Sequence, residues 1–124
     1  MNRAFFILGA ISAFLSVAAG AFAAHGLKPR LTPEMLEVFK TGAHYQMMHA
    51  LGLILCALAV NHVSQSLANA AGWCFVAGTV LFSGSLYLLA LTGVRWLGAI
   101  TPIGGVAFLA GWACLAIAAL RAKV

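Results

Sequence analysis

The stretch TGAHYQMMHALGLILCALAV, residues 41–60, carries no charged side chain along its whole length. Roughly 20 apolar residues in a helix, at about 1.5 Å each, cross the hydrocarbon core of a bilayer. Other uncharged runs of similar length precede and follow this one. The charged residues that separate the runs are Arg3, Lys28, Arg30, Glu34, Glu37, Lys40, Arg95, Arg121 and Lys123. This alternation predicts an integral membrane protein with several membrane-spanning helices.

The composition excludes an ordinary soluble domain. Of the 124 residues, 64% are hydrophobic and only 7% are charged, and the mean hydropathy is +1.04. A soluble domain is roughly half apolar and about a quarter charged. The net charge of +5 lies at the ends of the runs, where it suits anionic lipid headgroups. Membrane lipids, and no nucleic acid, are therefore the expected partners.

The three cysteines, Cys56, Cys74 and Cys114, fall in three different uncharged runs. Cysteines that are so far apart in a membrane protein are expected to be buried, inert thiols, without a disulfide or a zinc site. No cofactor is predicted.

The runs predict an all-α fold, a single domain over residues 1–124 with four membrane-spanning helices. The expected spans are about 4–24, 43–61, 70–92 and 102–120. Four spans put both termini on one side of the membrane. That side has three Lys and Arg residues and the other side has four, so the positive-inside rule gives no preferred orientation. The expected location is the cell inner membrane.

A short amphipathic helix on the membrane surface is expected after the first span. Thr32, followed by proline, suits the N-cap of a helix, and the sequence EMLEVFK then separates apolar from charged side chains. This helix either runs directly into the second span or bends at Gly42. A second Thr-Pro pair, which begins at Thr101, predicts the start of the fourth span.

Small residues recur in the first and fourth spans at spacings that let another helix approach closely. The first stripe is Ser12, Ser16, Gly20 and Ala24, and the second is Gly104, Ala107, Gly111, Cys114 and Ala118. Glycines in the third and fourth spans add Gly84 and Gly105 to the predicted packing residues. A bundle of four helices need not cover both stripes, which favours self-association or membership of a larger membrane complex.

Polar side chains inside the second and third spans form the predicted functional cluster. Ionisable groups within a span are costly and usually point into the bundle. On a helix, Tyr45 and His49 are one turn apart, and Gln46 is three residues before His49. The full cluster is Tyr45, Gln46, His49, Ser83, Ser85 and Tyr87. The leading interpretation is a clasp of interhelical hydrogen bonds, which average about 0.6 kcal/mol each.

Two alternatives place chemistry in the same segment. His44, Met47, Met48 and His49 offer imidazole and thioether ligands that suit copper, although their spacing is not diagnostic of a metal site. A proton or small-solute path would use His49 and Tyr45, with Glu37 at its mouth. Catalysis is not predicted, because the two acids share one short segment and no catalytic motif occurs.

The basic residues after the first span have two interpretations. His25, Lys28 and Arg30 could hold a lipid phosphate at the interface. A charged collar at the end of a membrane helix explains the same residues equally well.

Four stretches of the chain, taken in order, resemble the YgdD/YwdK family of small bacterial inner-membrane proteins, which has transmembrane relatives in eukaryotes. The stretches are GAFAAHGLK at 20–28, YQMMHALGL at 45–53, LFSGSLYLLALTG at 81–93 and GAITPIGGVAFLAGW at 98–112. One departure is Ala23, where the first motif is expected to have glycine. The resemblance implies a compact multi-span membrane protein and implies no activity.

The family motifs single out a set of positions that includes most of the polar cluster. By resemblance these are His25, Gly26, Tyr45, Gln46, His49, Ser83, Gly84, Ser85, Tyr87, Thr101, Pro102, Gly104 and Gly105. The function expected from residues and resemblance together is that of a non-enzymatic structural or accessory membrane protein.

Overall fold

The computed structural model describes residues 1–122, and all the regular secondary structure within them is helical. Lys123, one of the cations counted above, lies outside the described residues. The α-helices are α1 (Arg3–Phe22), α2 (Pro33–Ala59), α3 (Gln65–Gly78), α4 (Gly84–Thr92) and α5 (Thr101–Leu120). A π-helical segment, Ala23–Leu27, extends α1, a second, Thr79–Ser83, joins α3 to α4, and a 3₁₀ turn, Arg95–Ala99, precedes α5. The all-α prediction is confirmed.

Three of the helical stretches in the described residues are long and apolar enough to cross a membrane. They are Arg3–Leu27, Gln65–Thr92 and Arg95–Leu120. Helix α2 is not among them, although it is 27 residues long, because histidines, a tyrosine and a glutamine reduce its mean hydropathy. A membrane protein with several candidate spans is therefore what the structure shows.

Local capping fixes the starts and ends of several helices. The Asn2 side chain accepts a hydrogen bond from the amide of Phe5 at 3.1 Å and caps α1. The Thr32 hydroxyl accepts from the amide of Met35 at 3.2 Å, so the predicted N-cap of α2 is confirmed. Thr101 does not cap α5 as expected: it is the first residue of that helix, and its hydroxyl bonds to Ser85 instead.

The expected surface helix after the first span is not a separate element. The structure has one unbroken helix from Pro33 to Ala59, and Gly42 lies inside it without a bend. The apolar residues of this first part, Leu36 and Phe39, pack in a core cluster with Ala23, Leu27 and Ala90. They face the bundle, because the end of the first helix and α4 pack against this part of α2.

Helix α1 packs along α2 through the small residues of its inner face. A Cβ added at Gly9 would lie 2.7 Å from Cγ1 of Ile54 and 2.8 Å from the carbonyl oxygen of Ala50, so the two backbones are very close. Ser16 is buried in the same interface. The predicted packing residue Gly20 is not part of the close approach, since a Cβ there would meet nothing within 4 Å.

The rotation of the helix explains why Gly20 leaves the interface. Residues four apart are separated by about 400° on a helix with 3.6 residues per turn, so a stripe of such steps drifts by about 40° each time. Residues seven apart drift by only about 20°, and Gly9, Ser16 and Ala23, which have this spacing, are all buried.

Helix α5 packs on α3 and on the π segment that follows it. A Cβ at Gly104 would collide with the backbone of Phe82, and one at Gly111 would lie 2.5 Å from the ring of Phe75. At Gly105 it would make ordinary contact with Phe82, 3.9 Å away, and at Gly84 it would meet nothing within 4 Å. Gly84 therefore does not make the close approach expected of it.

Most of the small residues in the two stripes contact other helices of the same chain. Ser12 and Ser16 of α1 bond to α2, and Gly104 and Gly111 of α5 approach the π segment and α3 closely. Gly20 makes no close contact and Ala24 is exposed, so the last part of the first stripe is uncovered, and a partner on it stays a prediction.

Candidate functional site

His49 sits in an aromatic enclosure at the centre of the bundle. Its side chain is 3% exposed, and its ring stacks on Phe108 with centroids 3.5 Å apart and planes 7° apart. Phe75 meets the same ring edge-on at 5.4 Å. Stacked aromatic pairs of this kind add about 0.5–1.5 kcal/mol beyond the area that they bury.

Both ring nitrogens of His49 are hydrogen-bonded. Nδ1 lies 2.8 Å from the carbonyl oxygen of Tyr45, and a carbonyl oxygen only accepts, so Nδ1 carries the hydrogen. The indole Nε1–H of Trp112, which only donates, bonds to Nε2 at 3.0 Å. These two partners fix the neutral imidazole in a single tautomer.

Gln46 connects three helices by hydrogen bonds. Its amide nitrogen donates to the carbonyl oxygen of Ser12 at 3.1 Å and to the Ser12 hydroxyl at 3.2 Å. Its amide oxygen accepts from the hydroxyl of Tyr87 at 2.6 Å. Gln46 is 7% exposed, so α1, α2 and α4 meet at one buried amide.

Serine hydroxyls bond to backbone carbonyls elsewhere in the bundle. Ser83, at the end of the second π segment, donates to the carbonyl of Gly42 at 2.7 Å, and Ser16 donates to the carbonyl of Ala43 at 2.7 Å. Ser85 bonds to Thr101 at 2.6 Å and so joins α4 to α5. Among the described residues, every buried polar side-chain atom has a hydrogen-bond partner.

The six residues of the predicted cluster therefore divide into separate groups. Gln46 and Tyr87 bond to each other, whereas Ser83 and Ser85 bond elsewhere. Tyr45 contributes its carbonyl oxygen and its ring, whose centroid is 6.2 Å from that of His49 and 4.7 Å from that of Phe82.

The partners of His49 and Gln46 were not predicted from the sequence. Trp112 and Phe108 hold the His49 ring, and Ser12 receives the Gln46 amide. Trp112 and Phe108 look like ordinary apolar residues of a span. Ser12 was assigned to helix packing alone, although a serine in a membrane helix also bonds across helices.

The ligands of the metal alternative do not converge. His44 and Met48 are exposed on the outward side of α2, while His49 points inward and has no free nitrogen lone pair. In the described part of the chain, no three His, Cys, Asp or Glu side chains are placed to hold a metal ion. The thioether of Met47 is half-buried and makes no group with these residues.

The alternative of a proton or small-solute path has no connection between Glu37, its proposed mouth, and His49. Glu37 is on the exposed face of α2, where its carboxylate lies 3.7 Å from the ammonium of Lys40. It precedes His49 by twelve residues, about 18 Å along the helix axis, and it is exposed whereas His49 is buried.

The basic residues of the lipid alternative lie together at one end of the molecule. His25 is in the π segment after α1, and Lys28 and Arg30 are in the turn that follows. All three are exposed, and the turn is closed by a hydrogen bond from the Arg30 amide to the carbonyl of Leu27 at 2.9 Å.

Comparison with known proteins supplies a family for this structure. The model of a family described as protein of unknown function, DUF423, matches residues 19–105. The UPF0382 membrane protein YwdK of Bacillus subtilis is 48% identical over 120 residues, which cover 96% of this chain and 98% of that protein. A UPF0382 membrane protein of Staphylococcus epidermidis is 50% identical over 119 residues, 96% of this chain and 97% of the relative.

A further relative from Staphylococcus aureus, also a UPF0382 membrane protein, is 44% identical over the same share of the chain. No solved structure matches significantly. The resemblance to the YgdD/YwdK family that four motifs suggested is confirmed, and the chain belongs to the UPF0382 family of membrane proteins.

Proposed function

We propose that this chain is a multi-pass protein of the cell inner membrane that crosses the bilayer four times as one domain. The fourth crossing is α2, whose 27 residues extend over about 40 Å, more than the hydrocarbon thickness of about 30 Å. Two of the polar residues that lower its hydropathy, Gln46 and His49, are buried within the bundle. They do not contact the acyl chains, so they do not oppose insertion.

The positions of the exposed basic residues support four membrane crossings. His25, Lys28 and Arg30 are exposed at the end of the bundle where α2 begins, which supports contact with lipid headgroups there. At the same end, Trp96 is 67% exposed, as expected of an aromatic side chain at headgroup depth.

The proposed role is non-enzymatic: the protein associates with a second copy of itself through the outward face of α2. We define this face as the exposed residues Thr41, His44, Met48, Leu51, Leu55 and Leu58. Their spacing alternates between three and four, which is the spacing of a helix–helix seam with a left-handed crossing.

The observation that carries this proposal is the exposure of His44. It lies one turn beyond Lys40, about 6 Å further along the axis, and its imidazole points out of the bundle. A polar ring that faces acyl chains is costly. In a dimer with twofold symmetry, the polar residues Thr41 and His44 of one α2 helix would face those of the other. His44 would then no longer contact the lipid.

Disulfide cross-linking in native membranes tests the proposal. In a background with Cys56, Cys74 and Cys114 replaced by Ala, the variants Leu51→Cys and Leu55→Cys are oxidised and sized by electrophoresis. We expect a dimer of this chain for both variants, because the two positions lie on the proposed seam.

The matched control is Leu109→Cys on α5. Leu109 is 71% exposed and follows Phe108, which stacks on His49 of α2, so it lies at a similar depth in the membrane. We expect several-fold less dimer for it than for Leu51→Cys. Equal yields at all positions would mean random collision and would contradict the proposal, as would a cross-link only to another polypeptide, which would make the chain an accessory subunit.

A further inference from the structure

A lateral cleft separates α1 from α3 in the middle of the bundle. The two helices touch at one end, where the side chain of Asn2 donates to that of Asn69 at 3.2 Å and Phe5 packs over Gly72. Beyond this contact they diverge, and α2 forms the floor between them. The cleft has a volume of about 270 Å³.

The cleft is lined mainly by apolar side chains, and a few polar side chains lie among them. Leu8, Ile11 and Leu15 of α1 face Val80 of the π segment across the opening, and all four are exposed. The polar side chains of the lining are the buried Gln46 and His49 on α2, Ser12 on α1 and Thr79 at the start of the π segment.

Two hydroxyl groups of the cleft have a hydrogen to donate. The Ser12 hydroxyl accepts from Gln46, and its own hydrogen has no acceptor within residues 1–122. The Thr79 hydroxyl makes no hydrogen bond to any described residue. Gln46 and His49 are fully engaged with protein partners. The cleft therefore offers hydrogen-bond donors to a ligand.

The depth of these hydroxyls restricts the ligand. Ser12 is nine residues beyond Arg3, about 14 Å along α1, and Thr79 is thirteen residues before Thr92, about 20 Å along the helix. Both hydroxyls therefore lie near the middle of a hydrocarbon core of about 30 Å. No charged side chain lines the cleft, and an ion at this depth would be costly, so the ligand is neutral.

The volume restricts the ligand further. Pockets that enclose whole drug-sized ligands are about 300–1,000 Å³, so this cleft holds one compact group and leaves the rest of the molecule in the opening. A phospholipid would place only methylene groups here, because its oxygens stay at the interface. A ligand that uses the two hydroxyls must carry an oxygen acceptor into the hydrocarbon core.

We propose that the cleft binds the head of a neutral lipid with carbonyl acceptors on an apolar chain, the chemistry of an isoprenoid quinone. The carbonyl oxygens accept hydrogen bonds from Ser12 and Thr79. The chain leaves the cleft between Leu15 and Val80 into the surrounding lipid. This inference is independent of association through α2, because the cleft opens between α1 and α3.

Thermal unfolding of the purified full-length chain in detergent tests this proposal, since a ligand that binds only the folded state raises Tm. The probe is a benzoquinone with a decyl tail, compared with decanol and with a short-chain phosphatidylcholine. We expect a saturable rise in Tm with the quinone alone. No rise, or an equal rise with all three additives, would overturn the proposal.

Two pairs of variants locate the binding. Val80→Trp fills the opening of the cleft and should abolish the rise, whereas Val106→Trp should keep it. These two valines are 66% and 65% exposed, but Val106 lies on α5, away from the cleft.

Thr79→Val removes one donor and should weaken quinone binding about two- to tenfold, while Thr79→Ser should restore it. The binding curve is measured for each variant that keeps the wild-type Tm without ligand. An unchanged affinity in Val80→Trp would place the quinone elsewhere and overturn the proposal.

Discussion

At the scale of single residues, His49 shows how a membrane helix accommodates an imidazole. The ring donates to the Tyr45 carbonyl, accepts from Trp112 and stacks on Phe108. Each polar atom is paired within the protein, so the cost of burying a polar group is offset. The inward direction of His49 could be predicted, since polar groups avoid acyl chains. The partner could not, because Trp112 is 63 residues away and indistinguishable in sequence from an apolar residue of the span.

Removing the donor to His49 should destabilise the bundle. Trp112→Phe keeps an aromatic ring but leaves the Nε2 lone pair without its partner, and we expect the free energy of unfolding to fall by about 0.5–2 kcal/mol. The measurement is denaturant-induced unfolding in mixed micelles. Trp96→Phe serves as the control because Trp96 is 67% exposed, and its effect should stay within about 0.5 kcal/mol.

A double-mutant cycle separates the hydrogen bond from the loss of indole surface. The double variant, His49→Leu with Trp112→Phe, should lose about 1 kcal/mol less unfolding free energy than the sum of the losses in the two single variants. Strictly additive losses would show that the two side chains do not interact.

At the scale of helices, small residues decide which faces meet. The sequence correctly indicates that spans one and four carry contact stripes, because small residues lower the distance at which helices can pack. It does not indicate that Gly20 and Gly84 lie outside the helix–helix interfaces. Which residues of a stripe enter an interface depends on the rotation of each helix in the bundle. The π segments, Ala23–Leu27 and Thr79–Ser83, have no signal in the hydrophobic pattern either.

A matched pair of glycine substitutions distinguishes contact from open space. Gly104→Ala puts a Cβ only 2.8 Å from the Cα of Phe82, where a backbone must move, so we expect a loss of about 1–3 kcal/mol in unfolding free energy. Gly84→Ala meets no atom within 4 Å and should be neutral or stabilising by up to about 1 kcal/mol. Unfolding in mixed micelles measures both variants, and a similar loss in each would contradict the described packing of α5.

At the scale of the whole molecule, the uncharged runs predict the approximate limits of several helices. The expected spans at 4–24 and 102–120 nearly coincide with α1 and α5. The break between the second and third spans lies at 60–64, shorter than expected, because Gln65 and the polar residues after it begin α3. Neutral polar residues occur both in turns and in the first turn of a helix, so the sequence does not show where the turn ends and α3 begins.

Four crossings predict which turns share a side of the membrane. In the cysteine-free background, Arg30→Cys and Val94→Cys should react with an impermeant maleimide from one side, and His62→Cys should react only from the other. The labelling is compared between intact spheroplasts and inverted vesicles. If His62→Cys and Arg30→Cys were labelled from the same side, α2 would not cross the membrane.

The pairing of helices has a consequence for biosynthesis. Helix α1 packs mainly on α2, and α3 packs mainly on α5, so each major interface joins segments that leave the ribosome close together. An early hairpin can close its serine and glycine contacts while the later half of the chain is still being made. The indole of Trp112 and the phenol of Tyr87 bond to His49 and Gln46 across the two hairpins, so we expect these bonds to form last.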